Sequence, residues 1–164
     1  EVSSFIPDWH PYENYKDLYA CRSDLGGGIL HTECHELFLI CSLFGTPNKV
    51  NKKFWNNNKG EINVYDSCSL TLEYKEFKVN GVLSFYKKPN KRLINFEMEK
   101  AILNLDFNNN KLTLKEKKGE IIEEKYDLDS NDLFREQAKE MLKLKSKNQD
   151  ILKNLKSLST IIND

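Results

Sequence analysis

The chain has 164 residues, about one domain with one modest core. Charged residues make up 30% of it, with 25 bases balanced by 25 acids, which argues against a general nucleic-acid binder because phosphate neutralisation needs a basic excess. No apolar run approaches the roughly 20 residues of a membrane span, the longest being the eight from Leu37 to Phe44.

The chain opens on Glu1-Val2-Ser3-Ser4, with no initiating Met and no secretory leader, and is expected to be a fragment. Cys21, Cys34, Cys41 and Cys68 form no C-x-x-C pair and no zinc-ribbon spacing, so all four are expected to be reduced thiols in a cytoplasmic protein. The 22 Lys against 3 Arg, together with 18 Asn, fit an A/T-rich coding sequence, which accounts for much of the polarity without any function. Charge is nevertheless uneven. Residues 1–46 carry seven acids and two bases, all three His and four of the seven Gly, so functional residues are sought there first.

From Phe5 to Tyr15 the segment F-I-P-D-W-H-P-Y-E-N-Y is expected to be an extended aromatic loop, since Pro7 and Pro11 each restrict their predecessor. The triplet Gly26-Gly27-Gly28 then leads into one helix over about 28–44, with apolar residues at 30, 34, 37, 38, 41 and 44 and a stop at Gly45 and Pro47. From about Lys49 to Tyr126 the period falls to two: Cys68, Leu70, Leu72 and Tyr74 alternate with polar residues, as do Ile94, Phe96 and Met98, and Ala101, Leu103, Leu105 and Phe107, with Leu112 and Leu114 following. Turns are expected at Asn80-Gly81, Lys88-Pro89-Asn90, Asn108-Asn109-Asn110 and Lys118-Gly119. Asp129-Ser130-Asn131-Asp132 offers N-caps for a helix over about 131–146 with Leu133, Phe134, Ala138, Met141 and Leu142 as its stripe; a last helix over 149–162 carries Ile151, Leu152, Leu155, Leu158 and Ile162. The order predicts one α+β domain, an open and mostly antiparallel sheet with helices packed on one face: aromatic loop 1–25, Gly-rich turn and site helix 26–45, sheet 49–127, closing helices 130–162.

The stretch Gly26-Gly27-Gly28-Ile29-Leu30-His31-Thr32-Glu33-Cys34-His35-Glu36-Leu37 lacks the spacing of a dinucleotide loop. Together with Trp9, Pro11, Tyr15 and the Leu43-Phe44-Gly45 ending, it resembles the C-terminal domain of the Gfo/Idh/MocA oxidoreductases. The resembling branch reads W-x-P-x-x-x-Y-R, then G-G-G-x-L-x-D-x-S-H-E-x-D, then a leucine-rich helix ending F-G. Asp66, Pro89, Arg92 and the stretch Asn131-Asp132-Leu133-Phe134 also fit it. The resemblance implies NAD(P)-dependent chemistry on a sugar or cyclitol, with amino or nucleotide sugars for surface glycans within its range. The nicotinamide cofactor and a catalytic lysine belong to an N-terminal Rossmann domain, so this chain alone is not expected to bind NAD or NADP.

By that resemblance His35 takes the alcohol proton, a role that its reference pKa near ~6.5 suits; helix packing is the plainer alternative. The family's acid one turn earlier on the same face is missing, since Thr32 stands at its position and His31 at the four-residue spacing of other branches, and Phe38 replaces the motif's later Asp. Thr32 is expected to hold His35 by a hydrogen bond. Trp9, His10, Tyr15 and Tyr19 are candidates to stack on or bond a sugar, or else to anchor the loop. Lys16 is a candidate for an acidic substrate group, or a solvated lysine. His31 is either at the substrate or on the surface. His31 and His35 are four apart, the spacing at which two imidazoles on one helix face share a zinc, although no third ligand is evident and no metal is expected. A non-catalytic pseudo-enzyme or assembly domain is the alternative function. Apolar Val82, Tyr86 and Ile102 are expected to face outward and to pair two copies through the open sheet face, with neither nucleic acid nor membrane as a partner.

Overall fold

A computed structural model of the chain describes residues 1–57, 61–127, 129–143 and 149–163. Eight strands form one open, mixed but mostly antiparallel sheet: β1 (Val2–Phe5), β2 (Lys49–Trp55), β3 (Ser67–Glu73), β4 (Lys78–Ser84), β5 (Tyr86–Glu97), β6 (Ala101–Asp106), β7 (Lys111–Glu116) and β8 (Ile121–Lys125). Their order is β2-β3-β4-β1-β5-β6-β7-β8. Among the described residues four helices accompany them: α1 (Ile29–Thr32), α2 (His35–Phe44), α3 (Ser130–Lys143) and α4 (Gln149–Asn163). The expected α+β class with an open, mostly antiparallel sheet is what the chain adopts. The chain divides into two compact units, Glu1–Asn90 with Asp150–Asp164, and Lys91–Gln149.

In the first unit β2, β3 and β4 are antiparallel, and β1 joins β4 in parallel with Val2 opposite Leu83. Alternation buries Cys68, Leu70 and Leu72 of β3. The core is completed by Ile29 and Leu30 of α1, Leu37, Ile40 and Cys41 of α2, and Leu158 and Ile161 of α4. Full burial of side chains such as Leu72 and Ile161, both 0% exposed, contributes about 1.5–3 kcal/mol each. Lys52 of β2 donates to the carbonyls of Ile161 (2.9 Å) and Ile162 (3.1 Å), pinning the C-terminal turn of α4 with a positive charge where the helix dipole favours one.

Several expectations fail locally. Residues 2–5 are a strand rather than loop, because Ser3 and Phe5 bond across to β5: Ser3 Oγ donates to the Pro89 carbonyl and the Phe5 N–H to Asn90 Oδ1. Those same bonds keep Lys88-Pro89-Asn90 inside β5 instead of in a turn. Asn80-Gly81 lies inside β4; the turn is at Tyr74–Phe77, closed by the Tyr74 N–H to the Phe77 carbonyl. Gly81 faces Leu70, and a Cβ there would come within 3.1 Å of that side chain, so glycine serves packing and not reversal. Phe44, expected in the buried stripe, is 38% exposed and instead packs edge-on to Tyr74 and Phe77. Tyr86, expected to face outward, is half-buried and packs edge-on to Phe5 and Tyr15, whereas Val82 is exposed as expected.

The second unit is a four-stranded antiparallel meander with turns at Phe107–Asn110 and around Gly119, as the sequence predicts. Register places Phe96, Leu103, Leu114 and Ile122 in one row and Ile94, Leu105 and Leu112 in the next, all on one face. None of these is fully buried. Ile102 is exposed but lies between Glu97 and Lys115 on the opposite, polar face. The carboxylate of Asp129 caps α3 by accepting the Asp132 N–H at 2.7 Å. The stripe expected on α3 is not buried at Leu133 and Phe134, and neither are Ile151, Leu152 and Leu155 on α4. The side chains of Met141 and Leu142 and the expected helical residues 144–146 lie outside the described residues.

Candidate functional site

The aromatic segment winds through four short 3-10 turns, Ile6–Asp8, Tyr15–Asp17, Tyr19–Cys21 and Ser23–Leu25. The Gly triplet then presses against it. The Gly27 N–H donates to the Arg22 carbonyl and the Gly28 N–H to the Ala20 carbonyl, each at 2.9 Å. A Cβ on Gly27 would lie 2.1 Å from the Tyr19 carbonyl oxygen, so no other residue fits without moving backbone. Gly28, at φ +118°, adopts a backbone that side chains rarely tolerate, and it delivers the chain into α1.

The single expected helix is broken at Glu33-Cys34. Glu33 leaves the helical region at φ −97° and ψ 44°, and its buried carboxylate accepts from Ser4 Oγ of β1 at 2.8 Å. His31 therefore ends up on α1 and His35 at the first position of α2, both exposed. The break removes the one-helix geometry behind a shared zinc, and among the described residues no cluster of three or more His, Cys, Asp or Glu is placed to hold a metal. It also overturns the expected Thr32–His35 bond. Thr32 is buried, and its hydroxyl oxygen has no hydrogen-bond partner.

Asp66 organises the third side of the site. Its fully buried carboxylate accepts from the N–H of Asn57 (2.7 Å), the Asn57 amide (3.3 Å) and Ser67 Oγ (2.7 Å), while its own N–H donates to Asn56 Oδ1. That closes the connection between β2 and β3, and residues 61–65 of it touch the aromatic segment and the Gly-rich turn. Glu61 accepts the Tyr15 hydroxyl at 2.5 Å and lies 3.5 Å from Lys16 Nζ. Asn63 Oδ1 accepts the Ser23 N–H at 2.8 Å. The Tyr65 carbonyl accepts the Ile29 N–H, and Val64 packs on Gly28.

Of the residues singled out in the sequence, Tyr15 and Lys16 thus converge on Glu61, which sequence reasoning missed because no motif marks an acid in a connecting loop. A protein carboxylate therefore stands beside Lys16, whose side chain is still 42% exposed. Trp9 packs edge-on to Phe85, so it anchors its loop, while His10 and Tyr19 are exposed. The Tyr15 hydrogen bond, then the Lys16 charge, hold the Glu61 carboxyl below its ordinary range, and the same bond raises the Tyr15 phenol. Burial, then the neighbouring Tyr15, raises Tyr86. The four cysteines are free, and burial pushes Cys21 and Cys41 up to about 11. Among the described residues no helix is long and apolar enough to cross a membrane.

No family model and no curated protein sequence matches the chain. Solved structures do. A biliverdin reductase from Synechocystis sp. PCC 6803, solved with biliverdin and NADP+, superposes at a TM-score of 0.64 and 16% identity, over 90% of this chain and 49% of that one. UDP-N-acetylglucosamine 3-dehydrogenase GnnA from Acidithiobacillus ferrooxidans gives 0.60 at 16% identity, over 79% and 43%. A super-repressor mutant of Gal80p from Saccharomyces cerevisiae gives 0.56 at 19% identity, over 79% and 38%. The chain has the fold of the C-terminal domain of Gfo/Idh/MocA-type oxidoreductases. It spans half or less of the length of these three structures.

The Gly-rich turn does not offer a nicotinamide dinucleotide a pyrophosphate cradle. A pyrophosphate cradle needs free N–H groups at a glycine turn before a helix. Here the N–H groups of Gly26, Gly27, Gly28 and Ile29 are all spent on backbone carbonyls, and α1 has only four residues.

Proposed function

We propose that this segment is the substrate-side domain of an NAD(P)-dependent oxidoreductase acting on a sugar or cyclitol, amino sugars included, with the cofactor held elsewhere in the protein. The carrying observation is the placement of His35. Its backbone is fixed where α2 begins, Glu36 and Leu37 beside it are buried, and its own ring is exposed. An imidazole so held meets a bound alcohol without rearrangement and accepts its proton. Tyr15, Lys16, Tyr19, His10 and His31 are the further residues proposed to meet the substrate, and four free thiols suit a cytoplasmic setting. In the full-length protein, His35→Ala should lower turnover by roughly 10²–10⁴-fold and leave cofactor affinity unchanged. Undiminished turnover in that variant refutes the catalytic role.

Thr32 favours a second reading, a non-catalytic assembly domain. The family's acid is absent there, and the hydroxyl that replaces it bonds nothing. Under either reading two copies associate through the apolar sheet face of the second unit, where Phe96, Leu103, Leu105, Leu112 and Leu114 stand half-covered. Light scattering should then give a dimer at micromolar concentration, and Leu103→Glu a monomer.

A further inference from the structure

We propose that Glu61 sets the charge preference of this site: by holding Lys16 and the Tyr15 hydroxyl, it makes the surface select an uncharged polyhydroxy group over one bearing a carboxylate or phosphate. The inference rests on the substrate-site reading above and adds the charge of the group received.

Charge is decided by few groups here. Residues 1–46 contain two bases, Lys16 and Arg22. Both are matched within the protein: Lys16 by Glu61 at 3.5 Å, and Arg22 by Asp24 at 2.5 Å. The same segment carries seven acids, of which Glu1 and Asp8 are paired with Lys87 and Lys88. An incoming anion would have to displace Glu61 from Lys16 or lie against its charge. A neutral polyol instead meets the carboxylate with hydroxyl donors and sets no charge against it. The Tyr15 ring beside it offers an apolar face.

Glu61 stands on a connection that is held at several points. The connection that bears it is closed by the buried Asp66 carboxylate and tied again by Asn63 to Ser23 and by Tyr65 to Ile29. The Tyr15 hydroxyl and Lys16 both favour the charged form of Glu61. Lys16 and Glu61 are 42% and 50% exposed, so solvent screens them and the discrimination is a few-fold rather than absolute.

The test uses the chain as described here, with sorbitol and gluconate as probes, since the two differ chiefly in charge. Amide shifts of Tyr15, Lys16 and Glu61 are followed by NMR titration in low salt. The wild type should bind sorbitol more tightly. Glu61→Gln, which keeps the shape and removes the charge, should move the ratio toward gluconate by up to about fivefold, the worth of an exposed ion pair. Added Lys16→Met should cancel that move. A ratio unchanged by Glu61→Gln, a wild-type preference for gluconate, or no response to either probe overturns the proposal. The outcome is separate from catalysis: intact turnover in His35→Ala sinks the proton-acceptor reading and leaves the polyol ratio where it was.

Discussion

Gly27→Ala puts one methyl group where the backbone of the preceding turn already lies. The added Cβ would stand 2.1 Å from the Tyr19 carbonyl oxygen, 2.7 Å from that of Ala20 and 2.8 Å from the Ala20 carbonyl carbon. Ordinary contact begins at 3.4 Å, so the turn has to retreat by about 1.3 Å. All three atoms are backbone, and no side-chain rotation relieves the overlap. Overpacking of this kind costs about 1–3 kcal/mol. The retreat also stretches the bonds from the N–H groups of Gly27 and Gly28, worth about 0.5–1.5 kcal/mol each. The sum is about 2–6 kcal/mol. At about 2–4 °C per kcal/mol for a chain of this size, the melting temperature should fall by at least about 4 °C. Gly26→Ala is the control. It has open space around it, and its φ of +76° is the sole obstacle, worth about 1–2 kcal/mol. Circular dichroism melts of the two variants give the ranking. A Gly27→Ala protein as stable as wild type, or more stable than Gly26→Ala, refutes the account of the triplet as a close-approach turn.

Thr32→Val should be neutral or stabilising, by up to about 1 kcal/mol in urea denaturation, because it removes a buried hydroxyl that bonds nothing; a clear destabilisation would mean that the hydroxyl has a partner. Asp66→Ala should cost at least about 2 kcal/mol, since it strands the Asn57 and Ser67 donors, and NMR should show altered Tyr15 and Lys16 signals as Glu61 loses its support. Burial raises Tyr74 from 10 to about 12; the unfolded chain then loses this proton first, so the contribution is constant below pH 10 and is lost as the pH climbs through 10 to 12. Urea midpoints should fall over that window, and less steeply in Tyr74→Phe.

Alternation at Cys68-Leu70-Leu72 and at Leu103-Leu105 determined the sheet from sequence, because a period of two leaves a strand only one way to bury its apolar face. The Gly triplet, the start of the site segment and the capped start of α3 were legible for the same reason: each is local chemistry within a few residues. Tertiary structure decided the rest. Val2–Phe5 is a strand because β4 and β5 lie beside it, and no local pattern announces a parallel partner eighty residues away. Glycine at 81 reads as a turn until Leu70 is seen across from it. The helix predicted over 28–44 breaks because Glu33 bonds Ser4, an energy that propensity does not contain. Glu61 joins Tyr15 and Lys16 across some 45 residues of chain through a loop closed by Asp66. Sequence supplies the groups, but which cation meets which anion depends on distances that only the folded chain sets.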